Sequence, residues 1–403
     1  MKFSKRITSM QSSPIRRLVP YAEAAKSEGK KVYHLNIGQP DIVTPPGFLE
    51  SIKKFAEDVI AYSSSHGSYE LIDAMIDYYE GFDINLERKN LIVTNGGSEA
   101  LSFALMATCD PDDEVLVPEP FYANYNAFAS SVNVKLVPIT TKAMEGFHLP
   151  SKAEILKKIT PLTRAILFSN PGNPTGVIYT KEEMDMIADI ALEKEIYVIA
   201  DEVYREFVYD GLKYTSFGNI KRLEDRVIIV DSISKRYSAC GARIGCILSK
   251  NKELMAQTMK LAQGRLCVPT LEQVGAVALY KTPKSYLEEV NKEYQARRDI
   301  LISKVREMPG VICEEPKGAF YVVAKLPVDD AEKFVIWMLK DFHIDNETVM
   351  MAPAEGFYAT PGLGRDEVRL AYVLKKEDLS RAMDILKAGL EAYPGRISSA
   401  SNF

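Results

Sequence analysis

Cysteine, histidine and long apolar runs are all scarce in this chain, and each scarcity removes a class of function. The five cysteines (Cys109, Cys240, Cys246, Cys267 and Cys313) form no Cys-x-x-Cys pair and no metal-ligand spacing. An odd count without a framework reads as reduced thiols of a cytoplasmic protein. Four histidines (His34, His66, His148 and His343) are too few and too scattered for a His-rich metal site. No apolar run reaches the ~18 residues of a membrane span. The basic start, Met1 to Arg6, leads into polar residues, so it does not read as a signal peptide. Net charge is −5 with both signs interspersed, which offers nothing to nucleic acid or an anionic membrane. Walker A, Gly-x-Gly-x-x-Gly and His-Glu-x-x-His patterns are missing too.

What is present is an ordinary globular composition, 46% hydrophobic and 26% charged, in 403 residues. That length exceeds one compact core and predicts two or three domains. Ser12-Ser13-Pro14 offers a helix entry. The run from Leu35 to Asp41 reads as a short strand breaking into a Gly/Pro turn. From about residue 49, short apolar strands alternate with helical stretches: 91–94, 114–118, 164–168, 196–200 and 226–230. Near-continuous apolar strands between helices predict a largely parallel sheet covered on both faces, an α/β fold. From about 283 the texture changes to a long amphipathic helix (283–308), a strand within 318–324, a helix near 330–341, a strand at 368–373 and a closing helix near 376–391. This predicts a second, smaller α+β domain with a short antiparallel sheet.

One stretch organises the rest. Asp231-Ser232-Ile-Ser-Lys235 follows the apolar 226–230 strand, and Arg243 comes eight positions after the lysine. Burying a lysine is costly unless it has a partner or does chemistry. A lysine taken from water and set near other cations becomes a usable nucleophile. A surface turn is the plain alternative. Ser232-x-x-Lys235 also matches a penicillin-binding motif, but the Ser-Asp-Asn and Lys-Thr-Gly partners of that motif are absent.

Other candidates fall at the carboxyl ends of predicted strands, where open α/β sheets bind ligands. Gly96-Gly97-Ser98 can place bare N–H groups and a hydroxyl around a phosphate, or simply turn the chain with Ser98 as a helix cap. Gly96-x-Ser98-x-Ala100 also nearly matches a hydrolase nucleophile elbow, with His343 downstream as its base. It departs at the last glycine and leaves Lys235 and Arg243 without a task. Asp201 can hold a protonated ring nitrogen, or cap a helix. Tyr204, three residues on, can donate to an oxygen of the same ring if a helical turn starts there. Asn173 lies in Ser169-Asn-Pro-Gly-Asn-Pro-Thr-Gly176, a loop so rich in turn formers that it holds one shape. Tyr122 offers an aromatic face or a core side chain. Arg369, inside an apolar strand, suits a substrate carboxylate or a local ion pair.

A reactive lysine, a phosphate cradle, a carboxylate for a ring nitrogen, a phenol for a ring oxygen and an arginine for a carboxylate together describe pyridoxal 5′-phosphate handling an amino acid. In this order the set resembles the class I aminotransferases of the fold-type I pyridoxal-phosphate enzymes, and within them the aspartate aminotransferase-like group. The likeness runs from Asn36 to Tyr372. It implies a 45–299 cofactor-binding domain and a small domain made of 1–44 and 300–403. It implies that Lys235 carries the cofactor as a Schiff base in a ping-pong reaction and moves the proton between substrate Cα and cofactor C4′. By the same resemblance Asp201 keeps the ring nitrogen protonated, Asn173 and Tyr204 bind the ring's phenolic oxygen, and Tyr122 stacks where the family has tryptophan. Gly97, Ser98, Ser232 and Arg243 hold the phosphate, joined by Tyr62 from the neighbouring subunit of a homodimer. Arg369 takes the substrate α-carboxylate with Asn173 and the Gly38 backbone.

Specificity is thinner. Aspartate and 2-oxoglutarate carry a second carboxylate, and Arg265 is the expected partner for it, with Arg16 as the alternative. Other amino donors, including aromatic and neutral ones, stay open. So do a β-lyase or decarboxylase on the same cofactor, and, more remotely, the Ser98 hydrolase. A DNA-binding regulator with an aminotransferase-like body would need a basic module that the chain lacks.

Overall fold

A computed structural model describes residues 1–11 and 13–397. The proposed helix entry at Ser12 falls outside the described residues. Residues 14–18 form a turn, and the helix proper is Val19–Ser27, with Pro20 in its first turn where its missing N–H costs nothing. Strand β1 (Lys31–His34) lies just before the expected 35–41 strand, because its hydrogen-bonding partner is a distant segment rather than its own neighbourhood.

The large sheet then builds in chain order: β2 (Leu91–Thr94), β3 (Glu114–Glu119), β4 (Lys135–Thr140), β5 (Thr163–Ser169), β6 (Tyr197–Asp201), β7 (Val227–Ser232) and β8 (Gly245–Leu248). Its spatial order is β2-β8-β7-β6-β5-β3-β4. Only β8 runs against the others, pairing antiparallel with β2 and β7. Strands β2, β3, β7 and β8 are buried along their whole length. Burial on both faces explains their unbroken apolar sequences. One face packs the Gly96–Thr108 helix through Ala100, Leu101 and Ala104, and the other packs Lys181–Glu193 through Met184, Ile187 and Ala188. Thr180 caps the second helix in a reciprocal box with Glu183.

A smaller body follows. Strand β9 (Tyr321–Lys325) pairs antiparallel with β12 (Glu367–Ala371), which pairs antiparallel with β11 (Ala352–Pro353). Strand β10 (Glu347–Met350) instead pairs in parallel with β1, so the amino-terminal segment is built into this body. Its core joins Leu18, Ala22 and Leu35 to residues of the Lys284–Arg306, Ala331–Lys340 and Lys376–Ala392 helices. Tyr204 and Phe207, from the large body, reach into the same core. The crevice between the bodies therefore lies above the carboxyl ends of β2, β3, β5, β6 and β7.

Candidate active site

The crevice encloses a cleft of about 520 Å³ lined by Gly38, Gly97, Ser98, Tyr122, Asn173, Asp201, Tyr204, Ser232, Lys235, Arg243 and Arg369. Strand β7 runs on through Ser232, whose hydroxyl accepts from the Ser234 N–H at 3.3 Å and starts the short Ile233–Arg236 helix. Lys235 is the third residue of that helix. Its Nζ donates to the Gly38 carbonyl at 2.9 Å and lies 3.7 Å from Cys240 Sγ. No carboxylate pairs with it among the described residues. Arg236, the next residue, is fully buried and paired with Asp231. That pair, with Tyr79 donating to Asp231 at 2.7 Å, fixes the base of the lysine helix from below.

Gly96 opens its helix at φ 74°, and Asn95 is the capping residue, so Ser98 is not the cap but stands in the first turn. A Cβ on Gly96 would collide with the Arg243 guanidinium, so only glycine lets that side chain lie against the helix start. Arg243 itself has φ 53°, an unfavourable backbone held in place by its Nη1 bond to the Cys240 carbonyl at 3.0 Å. Gly97, Ser98, Ser232 and Arg243 line the cleft together, with the Arg243 guanidinium against the helix start, a setting for an anion.

Asp201 ends β6 and is 4% exposed. Its Oδ2 accepts from Tyr125 Oη at 2.7 Å and its Oδ1 weakly from the Val203 N–H at 3.4 Å. No helix follows it, and Val203 to Glu206 form a turn. With no cation beside it, burial pushes its carboxyl up to about 6. Tyr204 Oη lies 2.9 Å from Tyr321 Oη. Its phenol is held far above its usual range, chiefly by burial. Tyr122 is pushed up to about 12, again chiefly by burial, and its oxygen accepts from Asn124 Nδ2 at 2.7 Å.

Arg369 comes from β12 across the cleft and is 2% exposed. It donates to Asn173 Oδ1 at 3.2 Å and to the Asn36 carbonyl at 2.6 Å, while its Nε has no partner. Its guanidinium lies over the rings of Tyr321 and Phe357 at 4.5 and 5.0 Å. Desolvation without a counter-charge lowers its affinity for its own proton. A buried arginine facing only neutral acceptors is a site waiting for an anion.

Two predicted residues stand apart. Tyr62 is 80% exposed and does not line this cleft. Arg265 is held by Glu99 at 3.3 Å and the Val93 carbonyl at 2.9 Å, also outside it. Arg16 does line the cleft and has no ion pair among the described residues. His343, needed beside Ser98 by the hydrolase reading, is exposed between Ala331–Lys340 and β10, away from the cleft. Tyr125, Tyr321, Asn36 and Asn124 were not singled out from sequence. Tyr125 had a weak signal in its i, i+3 spacing from Tyr122.

The chain resembles known proteins along nearly its whole length. Residues 30–386 match the family described as aminotransferase class I and II. The chain is 32% identical to an aspartate aminotransferase of Pyrococcus horikoshii over 96% of this chain and 97% of that one. It is 30% identical to an aspartate aminotransferase of Bacillus subtilis, covering 98% and 100%. Among solved structures, an alanine aminotransferase from Pyrococcus furiosus superposes with a TM-score of 0.89 at 32% identity, covering 97% and 100%. An aspartate aminotransferase from Thermotoga maritima does so with a TM-score of 0.89 at 28% identity and the same coverage. The chain belongs to the class I and II aminotransferases and is a pyridoxal-phosphate-dependent transaminase of fold type I.

Proposed function

We propose that this transaminase moves the amino group of a dicarboxylic L-amino acid, aspartate foremost, to 2-oxoglutarate. The observation that carries the reading is a lysine without a carboxylate partner, set in one cleft with two uncompensated buried charges, Asp201 and Arg369. Those charges fit the expected cofactor and substrate. A protonated ring nitrogen suits the Asp201 carboxylate, which has only neutral donors of its own. A phosphate suits the cradle of Gly97, Ser98, Ser232 and Arg243, and a carboxylate suits the Arg369 guanidinium, whose buried Nε has no partner.

When bound, pyridoxal 5′-phosphate supplies an electron sink conjugated with the substrate Cα. Asp201 holds the proton on the ring nitrogen. Asn173 and Tyr204 bind the ring's phenolic oxygen, and the Tyr122 face covers the ring. Arg369 orients the substrate by its α-carboxylate, with Asn173 and Gly38 beside it. The Lys235 amine would serve as the acid–base group that removes and returns the proton at the substrate Cα. We place the two moving domains at 45–299 and at 1–44 with 300–403. We further propose a cytoplasmic homodimer. Val59, Ile60 and Tyr62 are 71%, 62% and 80% exposed, an apolar surface suited to a second copy. Tyr62 would then complete the phosphate site of the neighbouring subunit.

The reading is tested by incubating holoenzyme with L-aspartate and 2-oxoglutarate. Oxaloacetate and glutamate should form in equal amounts. Ammonia or CO₂ released without an acceptor would show a lyase or decarboxylase instead.

For the second carboxylate the cleft offers Arg16, with the Tyr122 hydroxyl and Asn124 nearby. Arg16→Ala should lower kcat/KM for aspartate by roughly ten- to a hundredfold, the worth of a charge-assisted bond, and leave alanine unaffected. Arg265→Ala should leave both unchanged. The reverse pattern in steady-state kinetics would return the role to Arg265.

A further inference from the structure

Tyr321 was read from sequence only as part of an apolar strand, yet its hydroxyl stands at the centre of the site. It is 2% exposed on β9 and lies 2.9 Å from the Tyr204 hydroxyl. Its other acceptor is the Gly38 carbonyl at 3.5 Å, an oxygen already engaged by Lys235 Nζ at 2.9 Å. Gly38 fits there only because it has no side chain, since a Cβ would occupy the Tyr321 hydroxyl's position. The Tyr204 ring is gripped edge-on by Phe207, Phe320 and Tyr321, with centroids 6.2, 5.2 and 5.6 Å away. It cannot swing to another partner.

Two hydroxyls that share one hydrogen bond leave one proton over. If Tyr204 donates, the spare proton is that of Tyr321, which faces a distant and contested carbonyl. If Tyr321 donates, the spare proton is that of Tyr204, which faces the open cleft. We propose that Tyr321 donates to the Tyr204 oxygen and acts as a positioning residue, keeping the Tyr204 proton directed at the phenolic oxygen of the cofactor ring. The proposal rests on the transaminase reading. A donor that itself accepts a hydrogen bond is a stronger donor in a dry site. Tyr321 therefore strengthens the pull of Tyr204 on the ring oxygen, while its ring separately supports Arg369 at 4.5 Å. Lys235, Arg369, Arg243 and Arg16 are the cations lining the cleft with the phenol pair, Asp201 is its carboxylate, and Tyr122 is the third phenol.

The test is the pH titration of the holoenzyme's visible absorption band without substrate. Charge drawn from the ring oxygen lowers the midpoint of that titration. Tyr321→Phe should therefore raise it, by about 0.3 of a pH unit if the second phenol strengthens the bond by roughly a fifth. Because the ring is retained, the affinity for maleate, read from its spectral change, should stay within about twofold. Tyr321→Leu, which removes the ring, should weaken maleate as well. In a Tyr204→Phe background, Tyr321→Phe should add no shift. An unchanged midpoint in Tyr321→Phe, or the same shift with and without Tyr204, would overturn the proposal and leave the transaminase reading intact. A wild-type holoenzyme without a lysine-dependent visible band would overturn both.

Discussion

Lys235→Ala should lose at least about a thousandfold in kcat, the scale of removing a positioned acid–base group and nucleophile together. The visible band of the holoenzyme should vanish with it. Folding should survive, because Lys235 Nζ makes no ion pair and its bonds go to a backbone carbonyl and a thiol. The base of its helix is fixed independently by the Asp231–Arg236 pair and Tyr79. A melting temperature within a few degrees of wild type is therefore expected alongside the lost activity. Residual turnover within tenfold of wild type would place the chemistry elsewhere.

Asp201→Asn should act on two quantities in opposite directions. Without a carboxylate at the ring nitrogen, kcat should fall by about a thousandfold or more, the reach of an electrostatic group in a water-excluded site. The cofactor-free protein should meanwhile become more stable near neutral pH. Burial raises the Asp201 carboxyl from 3.8 to about 6 in the folded chain. Between those values the folded state binds more protons than the unfolded one, so stability falls as pH rises through that window. The full loss, roughly 3 kcal/mol, is in place above about pH 6.5. An asparagine carries no such charge. Apo Asp201→Asn should thus melt higher than apo wild type at pH 7.5, and the difference should shrink towards pH 4. A thermal scan across pH measures it, and a parallel pair of curves would refute a buried, uncompensated carboxylate. Added cofactor should stabilise wild type more than the variant.

The charged members of the site were legible because each breaks an apolar pattern. Lys235 and Asp201 sit at strand ends, and Arg369 interrupts the β12 strand. Such placements are costly, so the sequence exposes them. Tyr321 and Tyr125 were not legible for the converse reason. An aromatic in an apolar run looks like core, and the groups their hydroxyls meet lie 117 and 76 residues away. Arg265 is harder to read because a charge at a helix end does not reveal its direction, and here it meets Glu99 and the Val93 carbonyl. The large sheet followed from its unbroken apolar strands. Strand β1 did not, since Lys31–His34 takes its register from β10.

That pairing also bears on the order in which the chain acquires its structure. Lys31 meets Glu347 and His34 meets Met350, so the smaller body cannot close its core until most of the polypeptide exists. Loop closure over so long a separation is slow compared with contacts inside the large sheet, whose strands follow one another along 91–248. On a ribosome, the amino-terminal segment would emerge first and settle last. Arg369 and the Asn36 carbonyl it grips belong to the two ends joined in this way. In that order the substrate-carboxylate pocket would form after the cofactor cradle.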